Sequence, residues 1–356
     1  MTTPEIRLRR LVNQQIAKTA FARPEEIVQW MGAMQAQDFG MAKWAIGLRL
    51  PGSKDKEIEE AFNQGRILRT HLLRPTWHFV TPADIKWLLQ LTAPKILARN
   101  KYYLNKSGLD KTILKRTNDF LAKELEGGHF KTRTQLQQTL AKKKIKADGM
   151  RLAYIMMQAE LDGIICSGPR IGNQFSYALL DERAPTMERF NANEAVGKLM
   201  NRFFESRGPA TLHDFVYWSN LSMKEAKEGF ELLDKRFITE QINGHEHFFI
   251  PSDQNSKKII QNSFLMPDYD EYGMSYKDKS FMLDKKSAND QGKGTARLPH
   301  LIIMNGVVAG TWTFIKKTEG RNKVVLLEYN FPTRLSTPKQ KAISQVEQRY
   351  RSFTET

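Results

Sequence analysis

Residues 134–180 read TQLQQTLAKKKIKADGMRLAYIMMQAELDGIICSGPRIGNQFSYALL, and this stretch decides the fold. Thr134–Leu140 predicts a short helix, and Lys142-Lys143-Lys144 a basic turn after it. From Gly149 to Leu161, the residues Leu152, Ile155, Met156 and Ala159 recur at three- and four-residue spacing, which lays one apolar stripe along a second helix. Asp162-Gly163 ends it. Ile164-Ile165-Cys166 predicts a strand, Gly168–Asn173 a turn, and the alternation in Gln174–Leu180 a returning strand. Helix, turn, helix and two-stranded hairpin is the order of a winged helix.

The same order recurs on both sides, although the residues do not repeat. After Gly208, Thr211 is placed to cap a helix carrying Phe215 and Trp218, and Ser222 to cap another carrying Ala226, Phe230 and Leu233. Strands 237–242 and 245–250 then flank Asn243-Gly244, a strong hairpin signal. Towards the N-terminus, Pro24 opens a helix at its favoured first position. Helices near 40–48 and 56–63 follow, then strands 66–71 and 76–80 around Arg74-Pro75. Ala83–Tyr103 reads as a helix that kinks or restarts at Pro94. Beyond Pro251, a loop at Asp284–Arg297 precedes a β-meander over 300–329 that turns first at Asn305-Gly306, and 340–351 reads as a terminal helix. The predicted fold class is mainly α with β-hairpins (α+β), as three tandem winged-helix units plus a C-terminal β-subdomain. The boundaries fall at 1–105, 106–185, 186–255 and 256–356.

The 356 residues carry 55 Lys and Arg against 39 Asp and Glu, a net charge of +16, which points to a polyanionic partner. With 40% hydrophobic residues the chain is expected to fold. A single cysteine, Cys166, excludes an intrachain disulfide and a cysteine-based metal site. No secretory pattern and no membrane-length apolar run is visible, so a soluble, cytoplasmic protein is expected. In a winged helix the second helix usually enters the major groove and the wing touches the backbone. The DNA-contacting candidates are therefore Lys142, Lys143, Lys144 and Arg151, with Arg170 at the wing, and Arg66, Arg69 and Arg74 in the first unit. For any single one of them, a solvated surface explains the charge as well. Core packing accounts better for each of the six tryptophans than stacking on a base. No metal site is assigned and no cofactor is expected.

Met34–Lys43 reads MQAQDFGMAK. Taken alone, Gln35 and Gln37 are ordinary polar residues. Other stretches add to them: Ala42-Lys43-Trp44, the run Arg69–His78 (RTHLLRPTWH), Arg207–Thr211 (RGPAT) with Phe215 and Trp218, and Pro267–Tyr272 (PDYDEY). Together they resemble the bacterial winged-helix DNA glycosylases of the AlkZ/YcaQ type, associated with crosslink repair, over nearly the whole chain. The resemblance implies a Gln-x-Gln catalytic motif at Gln35 and Gln37. Asp38, directly after it, is a departure: a carboxylate there is a candidate supporting base. The implied partner is damaged double-stranded DNA, bound by a monomer in the bacterial cytoplasm.

The chemistry implied is coherent. An N7-alkylated guanine is cationic and leaves with little acid help, so the enzyme has to place a water and stabilise positive charge at the sugar. Neutral amide oxygens hold a water without ionising. Residues i and i+2 on a regular helix point roughly 200° apart, so the two amides converge only where the segment is extended or bent. Gly40 reads as the end of a helix at this point. The alternative is a non-catalytic winged-helix regulator, although no heptad seam for a dimer is visible. RNA binding is the weaker alternative, since no RNA-recognition signature is present.

Overall fold

Prolines and side-chain caps set where the helices begin. The computed structural model describes residues 1–186, 188–251, 263–283, 300–319 and 322–355. The loop expected at Asp284–Arg297 lies outside the described residues. In chain order the first elements are α1 (Thr3–Asn13), α2 (Pro24–Met31), β1 (Met34–Gln35), α3 (Phe39–Arg49), α4 (Asp55–Asn63), β2 (Leu68–Leu72) and β3 (Thr76–Val80). Then come α5 (Pro82–Lys106), α6 (Lys111–Leu125), β4 (Lys131–Thr132), α7 (Arg133–Lys142), α8 (Gly149–Leu161), β5 (Ile165–Ser167), β6 (Ser176–Leu179) and α9 (Leu180–Arg183). The chain continues through α10 (Ala192–Arg207), α11 (Leu212–Ser219), α12 (Met223–Phe230), β7 (Ile238–Ile242), β8 (His245–Phe249), β9 (Ser263–Leu265) and α13 (Glu271–Met274). The last elements are β10 (Leu301–Met304), β11 (Val307–Glu319), β12 (Asn322–Asn330) and α14 (Thr337–Thr354). The fold is mixed α/β.

Two boundaries differ from the sequence reading. Helix α5 continues through Pro94 without the restart read there, and Leu88, Leu89, Ala93 and Ile96 on either side are buried. The proline costs one helical hydrogen bond without ending the helix. Near Gly40 a helix begins and does not end: α3 starts at Phe39, where the Asp38 side chain accepts a hydrogen bond from the Met41 amide at 3.0 Å. That cap satisfies one of the orphan donors of the first turn.

The chain gathers into two units. The first comprises Met1–Glu59, Leu199–Trp218 and Leu233–Thr356; the second comprises Glu60–Lys198 and Ser219–Leu232. In the first unit, β9 to β12 form an antiparallel sheet in the order β12-β11-β10-β9. Its β10–β11 hairpin turns at Asn305-Gly306, where both residues have positive φ, as the expected two-residue turn requires. Helix α14 packs beside α3: Trp44 lies 5.0 Å from the Tyr350 ring and 5.1 Å from Phe353. The buried indoles donate to backbone carbonyls, Trp44 to Leu265 at 2.7 Å and Trp312 to Met266 at 2.9 Å. Helices α10 and α11 add the aromatic cluster Phe203, Phe204, Phe215 and Trp218, against which Phe248 of β8 packs.

In the second unit, β4, β5 and β6 form a three-stranded sheet in the order β4-β6-β5, beside α6, α7 and α8. Leu136, Leu140, Leu152, Ile155, Met156 and Ala159 share one core with Leu121, Leu125 and Ile165, so the apolar stripe of residues 149–161 faces inward. Separately, β2 and β3 pair antiparallel, with Leu68 opposite Val80 and Leu72 opposite Thr76. Among the described residues no helix is long and apolar enough to cross a membrane.

Candidate active site

The segment 32–38 connects α2 to α3 within the first unit. Gly32 ends α2 with φ at +71°, a left-handed turn that an L side chain adopts only under strain. The chain then runs extended through Met34 and Gln35 and bends at Gln37 and Asp38 before α3 starts. The strand ends at Gln35, and Gln37 falls in the bend that follows it. The helical geometry that would splay Gln35 and Gln37 is therefore absent here. Gln35 retains 7% exposure, whereas Gln37 is exposed. Asp38 is exposed as well, with its Oδ1 engaged as the α3 cap.

Beneath this segment lie two buried arginine–carboxylate pairs. The Glu271 Oε1 accepts the Gln35 backbone N–H at 2.9 Å. Its Oε2 accepts from Arg207 Nη2 at 3.0 Å, Trp218 Nε1 at 2.9 Å and Ser275 Oγ at 2.6 Å. Arg207 also donates to the carbonyls of Met31, at 2.9 Å, and Ala33, at 3.1 Å. Its guanidinium lies 4.3 Å from the Trp218 ring centroid. Burial pulls the Arg207 pKa down from its ordinary value, and Glu271 opposes that shift. The second pair is bidentate: Arg49 of α3 donates to Asp270 at 2.7 and 2.9 Å. From Arg49 the hydrogen bonds continue to Gln14, on to the Tyr276 hydroxyl, and from that hydroxyl to the Arg207 carbonyl. Desolvation pushes the Tyr276 pKa up to about 12, so the phenol stays a neutral donor at physiological pH. At the other end of α3's first turns, buried Lys43 donates to Asp55 and Glu59, both at 2.6 Å.

Arg207 and Glu271 were not singled out from sequence, although both sit in stretches that carry the family resemblance. The available signal was a consecutive Asp270-Glu271 beside apolar residues, because buried carboxylates demand buried cations.

The second unit holds the basic candidates. Lys142 at the end of α7 and Lys143 and Lys144 in the turn after it are exposed, with Lys144 at positive φ. Arg151 is occupied with backbone, donating to the carbonyls of Lys146, at 2.8 Å, and Ser107. Arg69 and Arg170 converge on one ring: their guanidinium carbons lie 4.6 and 4.3 Å from the Phe175 centroid. Arg69 also stacks over Trp77 at 4.3 Å and is itself 8% exposed. Arg66 and Arg74 are half-buried, with Arg66 donating to Gln64 at 3.0 Å. A buried pair unforeseen from sequence, His71 with Glu160, lies near them; one carboxylate oxygen takes both the His71 backbone N–H at 2.9 Å and its ring Nδ1 at 2.5 Å. A cavity of about 450 Å³ in this unit is lined by residues of α5 and by Leu161–Gly163. In the first unit one of about 370 Å³ is lined by Arg10, His213, His245 and His247. Neither includes Gln35 or Gln37.

A strongly basic α/β chain is suited to a polyanionic partner such as nucleic acid. The model of the family "DNA glycosylase AlkZ-like" matches residues 28–353. This chain belongs to the AlkZ-like DNA glycosylase family. It is 21% identical over 311 residues to the interstrand DNA cross-link repair glycosylase of Streptomyces sahachiroi, covering 82% of each chain. Its fold is similar to the solved structure of Streptomyces sahachiroi DNA glycosylase AlkZ, with a TM-score of 0.78 at 17% identity, over 99% of this chain and 96% of that one.

Proposed function

We propose that this protein hydrolyses the N-glycosidic bond of N7-alkylated purines in duplex DNA, interstrand crosslinks among them, with a water placed by Gln35 and Gln37. The observation that carries the reading is the non-helical backbone between α2 and α3, extended at Met34–Gln35 and bent at Gln37, which frees the two glutamines from the opposed directions a helix would impose. Crosslinks come from the Streptomyces relative, whose name states that substrate. Water oxygen bonds to the sugar C1′ as the bond to the base breaks. The released electron pair neutralises the cationic base, and the water's proton passes to solvent. Gln37, the exposed member, offers its amide to the water; the nearly enclosed Gln35 supports it. No covalent enzyme intermediate is needed, so the glycosylase is monofunctional.

Helix, helix and hairpin follow one another at 133–179 and at 212–249, which supports the reading of tandem winged helices with the boundaries given above. In this reading a monomer lays Lys142, Lys143 and Lys144, together with Arg66, Arg74 and Arg170, against DNA phosphates in the bacterial cytoplasm, and the buried Arg69 supports Arg170 through the Phe175 ring they share. The test is base release from N7-alkylated and crosslinked duplex, scored as abasic sites, for wild type and for Gln37→Ala. Loss of a placed water costs on the order of 100-fold in rate. Equal release by both would remove Gln37 from the mechanism, and no release from any substrate would remove the activity.

A further inference from the structure

We infer that Arg207 and Glu271 are positioning residues, which hold the segment carrying Gln35 and Gln37 in its reactive shape without touching DNA. The inference rests on the reading of that glutamine pair as the water-placing group. A two-residue strand between two helices has little to fix its own path. Here three backbone groups along the strand and the chain leading into it are gripped from below: the carbonyls of Met31, at the end of α2, and Ala33 by Arg207, and the N–H of Gln35 by Glu271. Both gripping side chains are enclosed, Arg207 at 0% and Glu271 at 1% exposure, so neither reaches substrate. Bringing two charges into the interior is costly, and well-packed apolar residues often replace such a pair without loss of stability. Apolar residues cannot hold three backbone polar groups at set points. The pair's contribution is therefore to placement, and placement has kinetic weight: an error of about 1 Å in a reacting group costs on the order of 100-fold in rate.

Tyr276 ties this pair to the second one, since its hydroxyl receives from Gln14 and donates to the Arg207 carbonyl. Gln14 in turn meets Arg49, which grips Asp270 next to Glu271 in the chain. Asp270 and Glu271 thus anchor the helix that follows the glutamines and the segment that carries them.

The experiment uses the full-length protein and an N7-methylguanine duplex, with single-turnover release and equilibrium duplex affinity measured separately. Arg207→Lys keeps the positive charge opposite Glu271 but loses the planar fork that reaches both carbonyls. Its release rate is expected to fall by on the order of 100-fold, with duplex affinity within about threefold of wild type. In a Gln35→Ala background the same substitution is expected to add little, because the group it positions is gone. Ser275→Ala, which removes a donor to Glu271 and an acceptor from Arg207, gives a milder variant with the same signature should Arg207→Lys fail to fold. Parallel loss of rate, affinity and melting temperature, or penalties that multiply in the double variant, would overturn the inference and leave a structural ion pair. Unchanged rates in Gln35→Ala and Gln37→Ala would instead sink the underlying reading, and the positioning role with it.

Discussion

Asp38 invites two substitutions with opposite expectations. Its carboxylate accepts the Met41 N–H at 3.0 Å as the N-cap of α3, directly after Gln37. Asparagine caps a helix as well as aspartate does, whereas alanine loses about 1 kcal/mol. At roughly 2–4 °C per kcal/mol for a domain of this size, Asp38→Ala is expected to lower the melting temperature by about 3 °C. Asp38→Asn is expected to leave it within the error of the scan. The two variants also separate cap from base. If the side chain acts on the reaction only by starting α3 in the right place, Asp38→Asn keeps the wild-type release rate while Asp38→Ala loses part of it. If the carboxylate takes a proton from the attacking water, Asp38→Asn loses on the order of 100-fold although it melts normally. Thermal unfolding and single-turnover base release on one set of proteins decide the matter. A stable, inactive Asp38→Asn would refute the account in which capping is the side chain's whole role.

Three further outcomes are expected. Replacing Lys142, Lys143 and Lys144 together by glutamine, which tolerates the exposed turn, should reduce the slope of log affinity against log salt by up to about 2.7 with little change in melting; an unchanged slope removes this turn from the interface. Gly47→Ala should destabilise by about 1–3 kcal/mol, because a Cβ there would stand 2.4 Å from the Phe353 ring unless α14 shifts, and a neutral melting curve would show that it does. Burial holds His247 below the ordinary histidine value of 6.5, so the unfolded chain takes up a proton there that the folded one resists. Stability should therefore be full above about pH 6.5 and fall below it, and His247→Gln should flatten that limb in denaturant titrations across pH. An identical acid limb in the variant would assign the effect to other groups.

Much of the secondary structure was legible because it is local. The apolar stripe of 149–161 faces the core of its own unit. The Asn-Gly pairs at 243–244 and 305–306 adopt the positive φ values that two-residue hairpins need. Ser222 and Glu225 form the capping box of α12. The errors were local too. Gly40 and Pro94 were read by intrinsic propensity, whereas a side-chain cap starts a helix two residues before Gly40, and α5 continues through Pro94 between buried flanks.

Composition, period and short motifs carried the class of many elements, among them α7, α8, α11, α12 and the hairpins, together with the net positive charge, the single cysteine and the family; α1, α6, α10 and the short strand β1 were not read from sequence. What lies beneath the glutamines depends on contacts between distant parts of the chain. Glu271 meets Gln35 across 236 residues of sequence, and Arg207 meets Glu271 across 64. Arg69 and Arg170 likewise share Phe175 only in the folded chain. No periodicity signals such partnerships. They form because a charge taken out of water needs an opposite charge and filled hydrogen bonds, and which residues supply them is fixed only when the chain has closed around both.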